Sequence, residues 1–146
     1  MGTGLPRCAG RTGTRRAIVT PIPGTTRDFL AHPVPVADGG FMLTDTGGMF
    51  GDSADPLHEL VVDAGRRALE TADLIVFVVD GREGLVPGDE EIAKTVRGTG
   101  RPVLLAATGG TARHSLVIEH AMLPLFYYLK ALVATPPVFA ATKDWG

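Results

Sequence analysis

Two short stretches carry side chains whose types and spacing could do chemistry together. In "VTPIPGTTRDF" (19–29), Thr25 and Thr26 sit in a run that two prolines and a glycine make irregular. In "LTDTGGM" (43–49), an apolar run ends in Asp45, with Gly47 and Gly48 close behind. Asp80 ends a later apolar run, "DLIVFVVD" (73–80), in the same way. Carboxylates at the carboxyl ends of strands can hold a magnesium ion directly or through water. Glycines let the backbone approach a phosphate closely, and the Thr26 hydroxyl is a further oxygen ligand. A loop and a turn of this kind suit the sensing of a metal-bound terminal phosphate, closing together when it is present.

Such residues need a scaffold of strands to position them, and the rest of the chain supplies one. "HPVPVADGGFMLTD" (32–45) reads as two strands joined by an Asp38-Gly39-Gly40 turn, with Pro33 and Pro35 confining the first strand to an edge. Asp55-Pro56 is a helix start, and Leu57, Leu60, Val61, Ala64, Ala68 and Leu69 follow at helical spacing. The uncharged run 74–79 predicts a strand buried on both faces. Pro87 to Arg97 predicts a short helix with a Glu90–Lys94 pair and Gly98 as its stop. "RPVLLAA" (101–107) and "PPVFAAT" (136–142) are further strands. Between them, Ile118, Ala121, Met122, Leu125, Leu129 and Leu132 stripe a helix that Pro124 should kink. Buried strands alternating with helices predict one α/β domain with a mainly parallel sheet.

The bulk properties fit that architecture. The chain has 146 residues, 45% hydrophobic and 21% charged, which is enough for one core. A net charge of −2 excludes a generally basic, nucleic-acid-coating surface. Charge is uneven, however: Arg7, Arg11, Arg15, Arg16 and Arg27 fall in a start that holds no acid and could touch RNA phosphates. Cys8 is the single cysteine, which excludes an internal disulfide and suits a reducing cytoplasm. No run approaches the ~20 apolar residues that span a bilayer, and the start lacks a secretory core. Residues 116–134, the nearest to such a run, contain Glu119, His120, Pro124 and Lys130 and read as a buried amphipathic helix. His58, His114 and His120 have no metal-ligand spacing around them, and Ser53 and Ser115 lack a hydrolase context.

"RRAIVTPIPGTTRDF", "LTDTGGMF" and "ADLIVFVVDGREGLVPGDEEIA" together resemble the Der (EngA) GTPases of bacterial ribosome assembly, specifically their first GTPase domain. The resemblance implies a P-loop NTPase fold of the Ras-like GTPase type, with GTP and Mg as ligands and the ribosomal subunit or its rRNA as partner. It implies that Thr25 and Thr26 belong to the first switch, with Thr26 on the metal. It also implies that Asp45, Thr46, Gly47 and Gly48 form the Asp-x-x-Gly element, with Asp45 on the metal's water shell. Met49 stands where other GTPases often carry a water-orienting glutamine.

The resemblance covers 17–107 and stops abruptly at each end. Residues 1–16 are an irregular, arginine- and glycine-rich start, and 108–146 a diverged helix and strand. A GTPase cradles phosphates with Gly-x-x-x-x-Gly-Lys-Ser/Thr, yet the lysine slot falls near Gly4 and the first lysine is Lys94. The first central strand of such a fold has no counterpart in 1–16. The guanine-reading Asn-Lys-x-Asp should follow "VLLAA", where the chain has "TGGTARH" (108–114), and no asparagine occurs anywhere. Only Thr142, in "FAATKDWG", echoes the last base-binding loop. These features predict a truncated, frame-shifted or heavily diverged relative, incomplete for lack of that strand, with nucleotide binding and hydrolysis impaired or lost. The rival expectation is a non-catalytic α/β remnant whose arginines or exposed strand edges bind RNA, another protein or a copy of itself.

Overall fold

The computed structural model describes residues 30–37, 39–46 and 56–145. Its strands form two separate sheets, and the chain divides into two compact units between Ala68 and Leu69. In the first unit, β1 (Leu30–Val36) pairs antiparallel with β2 (Gly39–Asp45), from Leu30 opposite Asp45 to Val36 opposite Gly39. The hairpin is as expected, but Gly39 and Gly40 lie inside β2 rather than in the turn. Gly39 has a φ of 135°, a conformation that favours glycine at the strand's first residue. The helix α1 spans Pro56–Thr71, opening on the predicted proline.

The second unit is built on a parallel sheet in the order β3 (Ile75–Asp80), β4 (Val103–Gly109), β5 (Val133–Ala141). Side chains on a strand alternate between faces, and the register aligns Ile75, Phe77 and Val79 with Val103, Leu105 and Ala107. All six are buried. The helix α2 (Pro87–Gly98) contributes buried Ala93 and Val96. The last helix contributes Ile118, Met122 and Phe126, and Phe126 meets Phe77 edge to face at 5.0 Å. This is the core of the unit.

The opposite face of the sheet departs from expectation. A strand buried on both faces was predicted at 74–79, but Val76 is 46% and Val78 57% exposed. The core residues all come from one set of alternating strand positions, so the apolar run reaches solvent on the other.

Three further expectations are corrected. Lys94 pairs with Glu91 at 2.6 Å rather than with Glu90. The chain turns left-handed after α2 at Gly100, with φ of 68°, two residues beyond the predicted stop at Gly98. Before that turn, the Thr99 hydroxyl donates to the Val96 carbonyl at 2.7 Å, and Gly98 remains helical. The last helix is shorter than its apolar stripe: a π-turn (Ile118–Met122) leads into α3 (Leu123–Tyr128), and Leu132 is exposed just before β5. Pro124 at the head of α3 has no N–H for the preceding turn, so the widened turn falls just before it instead of a simple kink. Among the described residues, no helix is long and apolar enough to cross a membrane.

Candidate nucleotide-type site at the strand ends

In a parallel sheet the loops at the carboxyl ends of the strands are where ligands gather. Here those loops border an open cavity of about 210 Å³ lined by Asp80, Arg82, Thr108, Gly109, Gly110, Thr142 and Trp145. Each lining residue follows or ends a strand of one sheet: Asp80 ends β3, Thr108 and Gly109 end β4, and Thr142 follows β5.

Asp80 pairs with its neighbour Arg82 at the surface. The Arg82 backbone N–H donates to its Oδ1 at 2.9 Å, and the Arg82 side chain donates from Nη2 to Oδ2 at 2.7 Å and from Nε to both oxygens at 3.2 Å. These bonds favour the charged carboxylate, so the Arg82 side chain, then its backbone N–H, lowers the Asp80 pKa to about 2. The Asp80 carboxylate raises the pKa of Arg82 in return. The sequence reading of Asp80 as a metal-holding carboxylate thus meets an internal partner, Arg82, in a solvent-accessible pair.

The loop after β4 is held by an unforeseen residue. His114, in the 3-10 turn Ala112–Ser115, packs on two glycines. A Cβ on Gly109 would lie 2.7 Å from His114 Cβ, and one on Gly81 would lie 2.9 Å from the His114 carbonyl oxygen. The Thr111 backbone N–H donates to His114 Nδ1 at 3.2 Å, which makes that nitrogen the acceptor. Gly81 N–H donates to the Thr108 carbonyl at 2.7 Å and ties the turn after β3 to the end of β4. After β5, the Asp144 carboxylate accepts from the Ala141 N–H at 2.8 Å, and Trp145 stands half exposed beside the cavity. The sequence did not single out Arg82, His114 and Trp145 for this site: Arg82 and Trp145 lie within "DGREGL" and "FAATKDWG" with no role read for them, and His114 has no metal-ligand spacing around it. The one available signal was the pair of glycines before His114.

Of the residues predicted from the two opening stretches, Asp45 and Thr46 are described. Asp45 is the exposed last residue of β2, opposite Leu30, and Thr46 is half-buried just after it. Thr25, Thr26, Gly47 and Gly48 lie outside the described residues, as does the arginine-rich start. Among the described residues no three His, Cys, Asp or Glu side chains cluster to hold a metal.

Comparison with known proteins decides the family. Residues 9–109 match the family described as 50S ribosome-binding GTPase. The chain belongs to that family. Among curated relatives it is similar to GTPase Der of Natranaerobius thermophilus, 46% identical over 94 residues, which is 64% of this chain and 21% of that protein. GTPase Der of Thioalkalivibrio sulfidiphilus is 37% identical over 114 residues, covering 76% of this chain and 24% of the relative. The chain thus spans about a fifth of the length of the curated relatives it matches. The resemblance to a Der-type GTPase domain is borne out. So is the fold, an α/β arrangement of the P-loop type. A crystal structure of Era in complex with MgGDPNP and a segment of 16S ribosomal RNA matches with a TM-score of 0.70 and 26% identity over 90% of this chain and 44% of that one. A structure of Aquifex aeolicus Era bound to GDP and aluminium fluoride matches at 0.68 and 27% over the same shares.

Magnesium takes hard oxygen ligands and keeps several waters, and the Asp45 carboxylate at the end of β2 is a ligand of that chemical type. A guanine base presents adjacent N1 and N2 donors that need a carboxylate. Among the described residues that line the cavity the one carboxylate is that of Asp80, which accepts from Arg82.

Proposed function

We propose that this chain is one GTPase-like domain of the ribosome-assembly class in which nucleotide binding and hydrolysis are much weakened or lost. In this reading Thr25, Thr26, Asp45, Thr46, Gly47 and Gly48 are inherited switch residues, with Thr26 and Asp45 the ones that would hold Mg beside the phosphates of GTP. The metal would supply charge neutralisation at the transferring phosphoryl group. The chain's own part would be to position the phosphate, and for that it has no lysine before Lys94. The observation that carries the reading is the loop after β4, where "TGGTARH" (108–114) folds with His114 against Gly109 and offers no carboxylate to a base. A ribosomal subunit or its rRNA as partner, which the family's description and the Era complex with 16S ribosomal RNA support, and the cytoplasm as setting belong to the same proposal.

The test is a titration of the purified chain with fluorescent GTP and ATP, with and without magnesium. The expected result is no saturation below about 1 mM and no preference for guanine, about −4 kcal/mol or weaker. Guanine-selective, magnesium-dependent binding in the micromolar range, or measurable GTP hydrolysis, would overturn it. The second reading, a non-catalytic module that binds RNA, another protein or itself, is favoured by β3, which pairs with β4 alone among the described strands and whose Val76 and Val78 are about half exposed.

A further inference from the structure

One imidazole ring fixes the loop after β4. His114 Nδ1 accepts from the Thr111 backbone N–H, so that nitrogen is bare and the neutral ring carries its proton on Nε2. The ring also stands where side chains on the glycines would be. A Cβ on Gly109 would meet its Cγ and Nδ1 at 3.1 Å each, and one on Gly110 would lie 3.9 Å from its Cε1. Gly109 and Gly110 line the cavity, so the ring sets the position of that wall.

We infer that His114 is a proton-operated latch on the cavity wall: neutral, it holds the Gly109–Thr111 loop, and protonated, it lets that loop go. Histidine is the side chain that ordinarily changes charge between about pH 5 and 8. An imidazolium has a donor at each nitrogen, so its Nδ1–H would face the Thr111 N–H, donor against donor. Either the ring turns or the loop moves, and close packing on Gly109 ties the two movements together. Electrostatics gives the movement a direction. Arg82 chiefly, and a positive charge on His114 in addition, favour the ionised Asp80 carboxylate. The strands packed against the 3-10 turn, β4 and β5, carry no charged side chain. The charged residues around them in sequence are Arg82 and Glu83 after β3, Arg113 in the turn itself, and Lys143 and Asp144 after β5. The Asp144 carboxylate already accepts from the Ala141 N–H. Asp80 is thus the carboxylate toward which a charged ring is drawn. The bond from Gly81 N–H to the Thr108 carbonyl does not involve the ring, so the floor stays in place while the wall moves.

The test is a titration of the full chain from about pH 8 to about pH 5, followed by NMR of the His114 ring nitrogens. Hydrogen exchange of the Thr111 amide is read alongside, relative to its intrinsic rate at each pH. At the upper end the ring should show a bare Nδ1 and the Thr111 amide should be protected. Protonation should lower that protection by about two- to tenfold, the worth of one net hydrogen bond, with the same midpoint as the ring. His114→Asn offers an uncharged amide oxygen near the place of Nδ1 and should keep Thr111 protected at every pH. His114→Ala removes the acceptor and should leave Thr111 unprotected at every pH. Trp145, the single tryptophan, lines the same cavity, and its emission should follow the wild-type titration and lose that dependence in both variants. His120→Asn, at an exposed histidine, should leave the transition unchanged. The wild-type titration decides the matter even if a variant fails to fold. A neutral ring with its proton on Nδ1, a Thr111 amide that ignores the His114 titration, or a folded His114→Asn variant that keeps the wild-type pH dependence would each overturn the inference.

Discussion

The two faces of the β3–β4 layer are made of the same residue types and have different fates. Ile75, Phe77 and Val79 are each 6% exposed, while Val76 and Val78, drawn from the same apolar run, are about half exposed. Hydrophobicity alone does not separate them, for valine occurs on both sides. What separates them is which face lies with the core contributed by α2 and the last helix. The comparison shows that an uninterrupted apolar strand reports a capacity for burial on two faces, and the burial is realised only where a layer exists to supply it.

The contrast can be broken most severely from the covered side. Phe126→Ala removes a fully buried ring and its edge-to-face contact with Phe77, and should cost about 3–5 kcal/mol in chemical denaturation. If it costs less than Val78→Ala, the assignment of the core to that face is wrong. Gly109→Ala comes next: its Cβ would meet the His114 Cβ at 2.7 Å, and the two cannot coexist without a shift of the loop. We expect about 1–3 kcal/mol, and a paired His114→Gly change should recover part of it. On the open face, Val78→Thr should change the stability of the chain by no more than about 0.5 kcal/mol.

The smallest effect lies at the strand end. Folding lowers the Asp80 carboxyl from 3.8 to about 2, so the pair's contribution is complete above about pH 4 and is lost as pH falls through about 2. Arg82→Leu should return that titration toward 3.8, read by carbon NMR of the carboxyl, and flatten stability between those two pH values. Both partners are solvent-accessible, so the change in stability at neutral pH should be slight.

Much of the fold was legible because periodicity and breakers report it directly. The hairpin, α1, α2 and three parallel strands follow from alternation, from helical spacing and from Pro56 and Pro87. What escaped depends on partners distant in sequence. The apolar stripe ran on to Leu132, but the last helix gives way after Tyr128, where Lys130 adopts a φ of 55° and β5 follows at Val133. Glu90 and Glu91 are both within reach of Lys94 on a helix, and spacing could not say which the side chain would choose. Switch spelling made Asp45 visible as a candidate, whereas the Asp80–Arg82 bond is a rotamer choice that no spacing encodes. Equally, "TGGTARH" could be seen to lack a guanine reader, but not to fold back as a histidine wedge over Gly81 and Gly109.

The bond from Gly81 N–H to the Thr108 carbonyl extends the β3–β4 ladder one step past the strands, into the turn that carries Arg82. An amide in such a position exchanges with solvent only when its hydrogen bond opens. Its exchange should therefore follow the slow opening of the sheet and not the fast motion of a loop. Amide exchange at Gly81 would then place the floor of the cavity in the same cooperative unit as β3 and β4. A rim anchored in this way can receive a ligand, but it has little freedom to report one by moving.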